Sequence, residues 1–204
     1  MIFKAVVLAA GQSSRMGRDK ALLKIGSELS IELITKKLLS VCREVIVVLG
    51  DNYVQVSQKA ELKKSGIKCV FNPHHSSGGM LSSVRCGFAH CKGSCAVILQ
   101  MVDQPFVSPD TYKKLVNSYD DEHLFFQPVG LKNGRDKKGH PILFHSDFSK
   151  ILFAEANAKT FRDVFIPIKN RGKYFHTQDK GIIQNLNNPR LFEEGLKLHL
   201  SRGR

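Results

Sequence analysis

Apolar residues recur along the chain in two rhythms. Predominantly apolar runs from Ile2 to Ala9, Val45 to Leu49, Ile67 to Phe71, Ala96 to Met101 and Leu124 to Gln127 predict strands covered on both faces. Between them apolar residues return at helical spacing: Ile31, Ile34, Leu38 and Val41, then Leu81, Val84 and Phe88 after Gly79, then Tyr112, Leu115, Val116 and Tyr119 after Pro109. Strand and helix in alternation predict an α/β architecture, a three-layer sandwich with helices on both faces of a sheet. In such sheets ligands bind outside the carboxyl ends of the strands, so the residues that follow each run carry the chemical interest.

The second half is less regular. A polar, lysine-rich segment from Gly130 to Gly139 reads as a mobile surface loop, Pro141 to Phe144 as a short apolar run, and Pro189 as the opening of a closing helix with Phe192, Leu196 and Leu200 in register. His199 to Arg204 reads as a frayed tail. At 204 residues and 42% hydrophobic content the chain can bury one sizeable core, so residues 1–204 are expected to form a single domain.

Charge narrows the partners. The formal net charge of +13 favours ligands rich in phosphate or carboxylate. Nucleic acid is the less favoured partner, because the lysines are spread along the chain and no helix-turn-helix, finger or aromatic RNA-binding signature accompanies them. The apolar stretch Ile2 to Ala10 is too short to span a membrane and lacks a basic leader, which points to a cytoplasmic chain without a membrane partner. Cys42, Cys69, Cys86, Cys91 and Cys95 are an odd set that suits reduced thiols, Cys69 and Cys95 lying in or beside apolar runs as packing residues. Cys91 and Cys95 have no second Cys/His pair with which to close a zinc site.

Candidate chemistry follows the runs. The first empties into Leu8-Ala9-Ala10-Gly11 and, through Ser13 and Ser14, reaches Arg15-Met16-Gly17 and Lys20, a small-residue loop whose N–H groups and cations suit a polyphosphate. It lacks the spacing of a nucleotide P-loop and of a dinucleotide fingerprint, and an ordinary strand-to-helix loop is the plain alternative. The third run ends at Asn72-Pro73, followed by His74 and His75, which read as surface residues. Gly78, Gly79, Met80, Ser82 and Ser83 come next, where paired glycines allow close backbone approach and the serines either donate to a ligand or cap a helix. The fourth ends at Asp103-Gln104-Pro105. Its carboxylate suits a hard divalent cation shared with phosphate oxygens and water, or merely caps the turn. Gly139-His140-Pro141 and the asparagines Asn185, Asn187 and Asn188 lie downstream.

Taken in order, these motifs resemble the MobA/MocA-like nucleotidyltransferase family of molybdenum cofactor maturation, the cytidylyltransferase branch most of all. The resemblance spans nearly the whole chain. It implies a Rossmann-like nucleotidyltransferase fold with a mostly parallel sheet and one reversed strand. The implied enzyme is Mg-dependent and moves a nucleoside monophosphate from an NTP, CTP favoured over GTP, to a phosphorylated acceptor such as molybdopterin, releasing pyrophosphate. Leu8, Ala9, Ala10, Gly11, Arg15, Lys20, Asn72, Gly79, Ser82 and Ser83 would bind the nucleotide, with Arg15, Lys20 and Asp103 catalytic. Asp103 with Asn187, or else Asn185, would hold magnesium, and His140 would face the acceptor. A molybdoenzyme or chaperone is a further implied partner.

Two stretches depart from that branch. Asn185-Leu186-Asn187-Asn188-Pro189 stands nearer the guanylyl relatives than the cytidylyl ones, and Glu155-Ala156-Asn157-Ala158-Lys159 replaces a Gly-Asp-rich turn. Both leave room for a sugar phosphate or small alcohol phosphate as acceptor, or for a catalytically silent nucleotide- or cofactor-binding relative.

Overall fold

In the computed structural model, which describes residues 1–11, 16–62 and 64–201, the apolar runs become the strands they predict. The strands are β1 (Phe3–Leu8), β2 (Lys24–Ile25), β3 (Glu28–Leu29), β4 (Glu44–Leu49), β5 (Ile67–Phe71), β6 (Ala96–Met101), β7 (Phe125–Lys132), β8 (Arg135–Lys138), β9 (Ile142–Phe144) and β10 (Gly172–His176). The α-helices are α1 (Ser30–Leu39), α2 (Tyr53–Lys59), α3 (Gly79–Ala89), α4 (Pro109–Asn117), α5 (Phe148–Ala154), α6 (Phe161–Phe165) and α7 (Pro189–Ser201). The main sheet runs in the order β10-β7-β9-β6-β1-β4-β5, with β8 paired to β7, while β2 and β3 form a separate ribbon. Along that path β9 alone is reversed, antiparallel to both β6 and β7.

Both faces of the central strands are covered, which is why their sequences do not alternate. Ala5 and Val7 of β1 pack with Ile31, Ile34 and Leu38 of α1 and with Tyr112 and Leu115 of α4. Val6 and Leu8 face the opposite way, against Leu81, Val84 and Phe88 of α3 and the Phe148, Leu152 and Phe161 group of α5 and α6. Burying an aromatic such as Phe88 completely contributes about 2–3 kcal/mol. Helix α3 lies flush on the sheet because Gly87 has no side chain, and a β-carbon there would strike Val6 and Val48. Helix α4 starts where its sequence says it should: Ser108 Oγ accepts from the Thr111 N–H at 3.2 Å, and Pro109 occupies the first turn.

The expected loop from Gly130 to Gly139 is instead a β-hairpin. Val129 to Lys132 pair with Lys138 to Arg135, and the turn is Asn133 and Gly134, with φ of 53° and 73°. Two successive positive φ values define the tight hairpin turn that Asn-Gly selects. Both faces of its tip are exposed, so no apolar alternation announces it. Among the described residues no helix is long and apolar enough to cross a membrane. The five cysteines are free, and burial pushes the Cys42 and Cys91 thiols up to about 12, as suits packing residues.

From β1 the chain steps through α1 to β4 and on to β5, then returns over α3 to β6 on the other side of β1. The crevice between the ends of β1 and β6 is therefore the topological switch point, where no crossover fills the space.

Candidate active site

A cavity of about 300 Å³ occupies that crevice. The exit of β1 supplies Leu8, Ala10 and Gly11, the exit of β6 supplies Met101, Val102 and Asp103, and the start of α3 supplies Gly79, Met80 and Ser83. Lys20 and His75 complete the wall. Its floor is apolar and its cation and carboxylate sit together on one side. The N-terminal turn of α3 faces it, with orphan N–H groups that favour an anion.

Three distant segments meet at the polar side. The Lys20 Nζ donates to Asn187 Oδ1 at 2.8 Å and lies 3.4 Å from Asp103 Oδ2. The closing segment is drawn in by the backbone, Leu186 N donating to Asp103 O at 2.8 Å. Gln104 fixes it further, its Nε2 donating to Asn185 Oδ1 at 2.9 Å and to Ile182 O at 3.0 Å. Asn185 is thus engaged by Gln104, and Asn187 is the asparagine beside Lys20.

Asp103 Oδ1 is buried and has no hydrogen-bond partner among the described residues. A carboxylate oxygen left bare in a cavity costs solvation unless something positive meets it. That orphan oxygen and the Asn187 amide oxygen fit a hard divalent cation whose remaining ligands are phosphate and water. Among the described residues no group of three or more His, Cys, Asp or Glu gathers to hold a metal unaided. The donor set suits a cation that arrives with a polyphosphate.

Several expected site residues serve the site from behind. Ala9 points to the opposite face of the sheet from Leu8 and Ala10, as strand alternation requires. Asn72 is buried and braces the start of α3, donating to Ser82 Oγ at 2.9 Å and Ser83 Oγ at 3.0 Å. Ser82 turns away from the cavity and donates to Gly79 O at 2.9 Å, whereas Ser83 lines it. His140 does not line the cavity. Burial holds its pKa below the ordinary value, against the Leu99 carbonyl and the Asp103 carboxylate, and its Nδ1 has no partner among the described residues. Arg15, with Ser13 and Ser14, lies outside the described residues.

His75 is a correction, for it is not a surface residue. Its side chain is 8% exposed, its Nε2 lies 3.1 Å from Asp51 Oδ1, and its ring packs where Gly50 leaves room. Nothing in the His74-His75 pair distinguishes the inward ring from the outward one. Met101 and Val102 also line the cavity; they stand directly before Asp103 at a strand exit, where position alone marks them.

The MobA-like NTP transferase domain model matches residues 5–170. The chain belongs to this family of nucleotidyltransferases. It is 38% identical over 164 residues to nicotine blue oxidoreductase of Paenarthrobacter nicotinovorans, covering 76% of this chain and 79% of that one. Molybdenum cofactor cytidylyltransferase of Escherichia coli K12 is 28% identical over 143 residues, 68% of this chain and 67% of that one. A probable molybdenum cofactor guanylyltransferase of Natranaerobius thermophilus is 27% identical over 114 residues, and this chain spans about half its length: 55% of this chain is matched and 53% of that one. Among solved structures, Rv0371C of Mycobacterium tuberculosis H37Rv in complex with manganese superposes with a TM-score of 0.74 at 17% identity, covering 97% of this chain and 98% of that one. At that identity the likeness speaks for the fold alone.

Proposed function

We propose that the chain transfers a nucleoside monophosphate, CMP in preference to GMP, from a magnesium-bound NTP to a phosphorylated acceptor, with molybdopterin as the acceptor and pyrophosphate as the leaving product. The observation that carries this reading is the meeting of Lys20, Asp103 and Asn187 at the mouth of the β1/β6 crevice. The Gly11 loop and Lys20, with Arg15, hold the triphosphate, and Gly79 and Ser83 lie along the nucleoside. Asp103 and Asn187 hold the cation, which when bound neutralises charge on the phosphates. His140, buried outside the cavity lining, is the residue this reading assigns to the acceptor. A phosphate monoester is already an anionic nucleophile at neutral pH, so these side chains need only align it with the α-phosphorus and screen the leaving pyrophosphate.

Calorimetric titration of CTP, GTP, ATP and UTP, with and without magnesium, tests the nucleotide half of the proposal. Pyrophosphate release with molybdopterin present tests the acceptor. Magnesium-dependent CTP binding and release of pyrophosphate are expected; binding without release in the presence of molybdopterin, sugar phosphates and small alcohol phosphates would favour a silent relative.

A second reading rests on the 38% identity to a relative named as an oxidoreductase. On it, the chain catalyses electron transfer between a dye such as nicotine blue and a supplied redox partner. Protein-dependent redox turnover of nicotine blue with a supplied electron donor or acceptor, with no pyrophosphate formed from any NTP, is the result that would replace the first reading with this one.

A further inference from the structure

Asn52 opens α2 at the position where an asparagine side chain ordinarily caps the helix, yet it makes no such bond. All its hydrogen-bonding groups turn the other way. Its Nδ2 donates to Ala9 O at 2.9 Å and to Asp19 Oδ2 at 2.6 Å, and its Oδ1 accepts from Gly50 N at 3.0 Å. Ala9 is the last residue before the glycine loop, and Asp19 is the last before Lys20. One amide therefore ties together both ends of the segment that the proposed function assigns to the triphosphate.

The surroundings leave little room for another arrangement. Gly50 brings this turn so close to the Ala10 carbonyl that a β-carbon there would stand 2.9 Å from it. The other oxygen of Asp19 accepts from Ala21 N at 2.8 Å, fixing the short helical turn Lys20–Leu22 that begins with the lysine. Lys20 is thus oriented by a relay: Asn52 holds Asp19, Asp19 holds Ala21, and the intervening side chain reaches Asp103 and Asn187.

We propose that Asn52 is a positioning residue that clasps Ala9 to Asp19 and aims Lys20 at Asp103. The link to catalysis rests on the proposed function, whereas the clasp itself does not. Three variants test it: Asn52→Ala, Asn52→Asp, and Asn52→Asp combined with Asp19→Asn. The readouts are affinity for inorganic triphosphate, amide exchange at Ala21 in the ligand-free protein, and the melting temperature. Asn52→Ala should weaken triphosphate binding about tenfold and speed Ala21 exchange by a similar factor. Asn52→Asp, which sets two carboxylates against each other, should weaken binding further, and adding Asp19→Asn should restore part of the loss by exchanging the roles of amide and carboxylate.

Unchanged triphosphate affinity and unchanged Ala21 exchange in Asn52→Ala would overturn the clasp, as would a loss that the paired substitution fails to recover. Should either Asn52 variant fail to fold, Asp19→Asn alone, which leaves α2 intact, must reproduce the faster exchange or the proposal falls. Absence of triphosphate binding in the wild type would count against the proposed function, while Ala21 exchange would still decide the clasp.

Discussion

Asp103 and Asp179 both follow the sheet and both lie largely out of solvent, yet they are used in opposite ways. Asp179 has its oxygens fully engaged: Oδ2 accepts from Ser108 N at 2.8 Å and Thr111 Oγ1 at 2.7 Å, and Oδ1 from Gly181 N at 3.0 Å. It joins the start of α4 to the segment leading toward Asn187, through bonds of 2.7 to 3.0 Å. Among the described residues the Asp103 carboxylate meets Lys20, at 3.4 Å through one oxygen, and keeps the other without a hydrogen-bond partner beside a cavity. Burial alone does not separate a working carboxylate from a building one. Unanswered hydrogen-bonding capacity at a cavity wall does, because leaving a buried polar atom bare is costly unless a ligand or water completes it.

Exchanging the behaviour of the two aspartates is the most direct way to break this contrast. Asp103→Ala should lower turnover about a thousandfold, about 4 kcal/mol of transition-state stabilisation, while the melting temperature stays close to wild type. Steady-state pyrophosphate release and a melting curve on the same preparation check both halves, and a variant with near-normal turnover would end the assignment. Asp179→Ala should do the reverse. Losing three bonds to a charged acceptor should destabilise the fold by about 3 kcal/mol in chemical denaturation, with the turnover of the folded fraction preserved.

The sequence makes the frame of this contrast readable and hides its joints. Strands β1, β4, β5, β6 and β7 and helices α1, α3 and α4 follow from apolar runs and stripes, because strands covered on both faces and helices covered on one leave unmistakable patterns. The strand exits then place Gly11 and Asp103 at one crevice without further help. What is not readable is contact between distant segments: Asn187 beside Lys20, Asn185 under Gln104, or Asn52 at the base of the loop, each decided by tertiary packing and none by spacing. The hairpin at Asn133-Gly134 is a different kind of miss. Its turn signal is present, but strands exposed on both faces carry no periodicity to support it. Edge strand β10, with Tyr174 and Phe175 among polar neighbours, was passed over for a similar reason.

Two lysines repeat the contrast at smaller scale. Lys20 faces the cavity, whereas Lys37 is drawn inward and donates to the Pro105 and Val107 carbonyls at 2.8 and 2.9 Å, pinning the turn after Asp103. Burial pushes the Lys37 ammonium down to about 8 from 10.5, with Asp179 and Glu28 pulling it back. Between those values the unfolded chain holds a proton that the folded chain has released, so this group's contribution to stability rises with pH through that window. The rise should approach about 2 kcal/mol after allowance for solvent screening. It should appear in the difference between wild type and Lys37→Met, whose curve lacks the rise, when denaturation is followed from pH 7 to pH 10.5. Parallel curves would mean that Lys37 keeps its proton in both states.

The smallest expected effect concerns the apolar half of the cavity. Ala10 lines it and is 8% exposed, so its methyl group is packed rather than solvated and sets the clearance beside Gly11. If that methyl group excludes a purine, Ala10→Gly should lower the ratio of CTP to GTP turnover about fivefold, roughly the 1 kcal/mol that one carbon commands in a pocket. The added glycine also loosens the backbone, at a cost of about 0.5–1 kcal/mol to folding. Stability, however, is common to both substrates and cancels in their ratio. A ratio that holds while both rates fall together would therefore place nucleotide choice elsewhere on the wall, with the inward ring of His75 one polar group to examine.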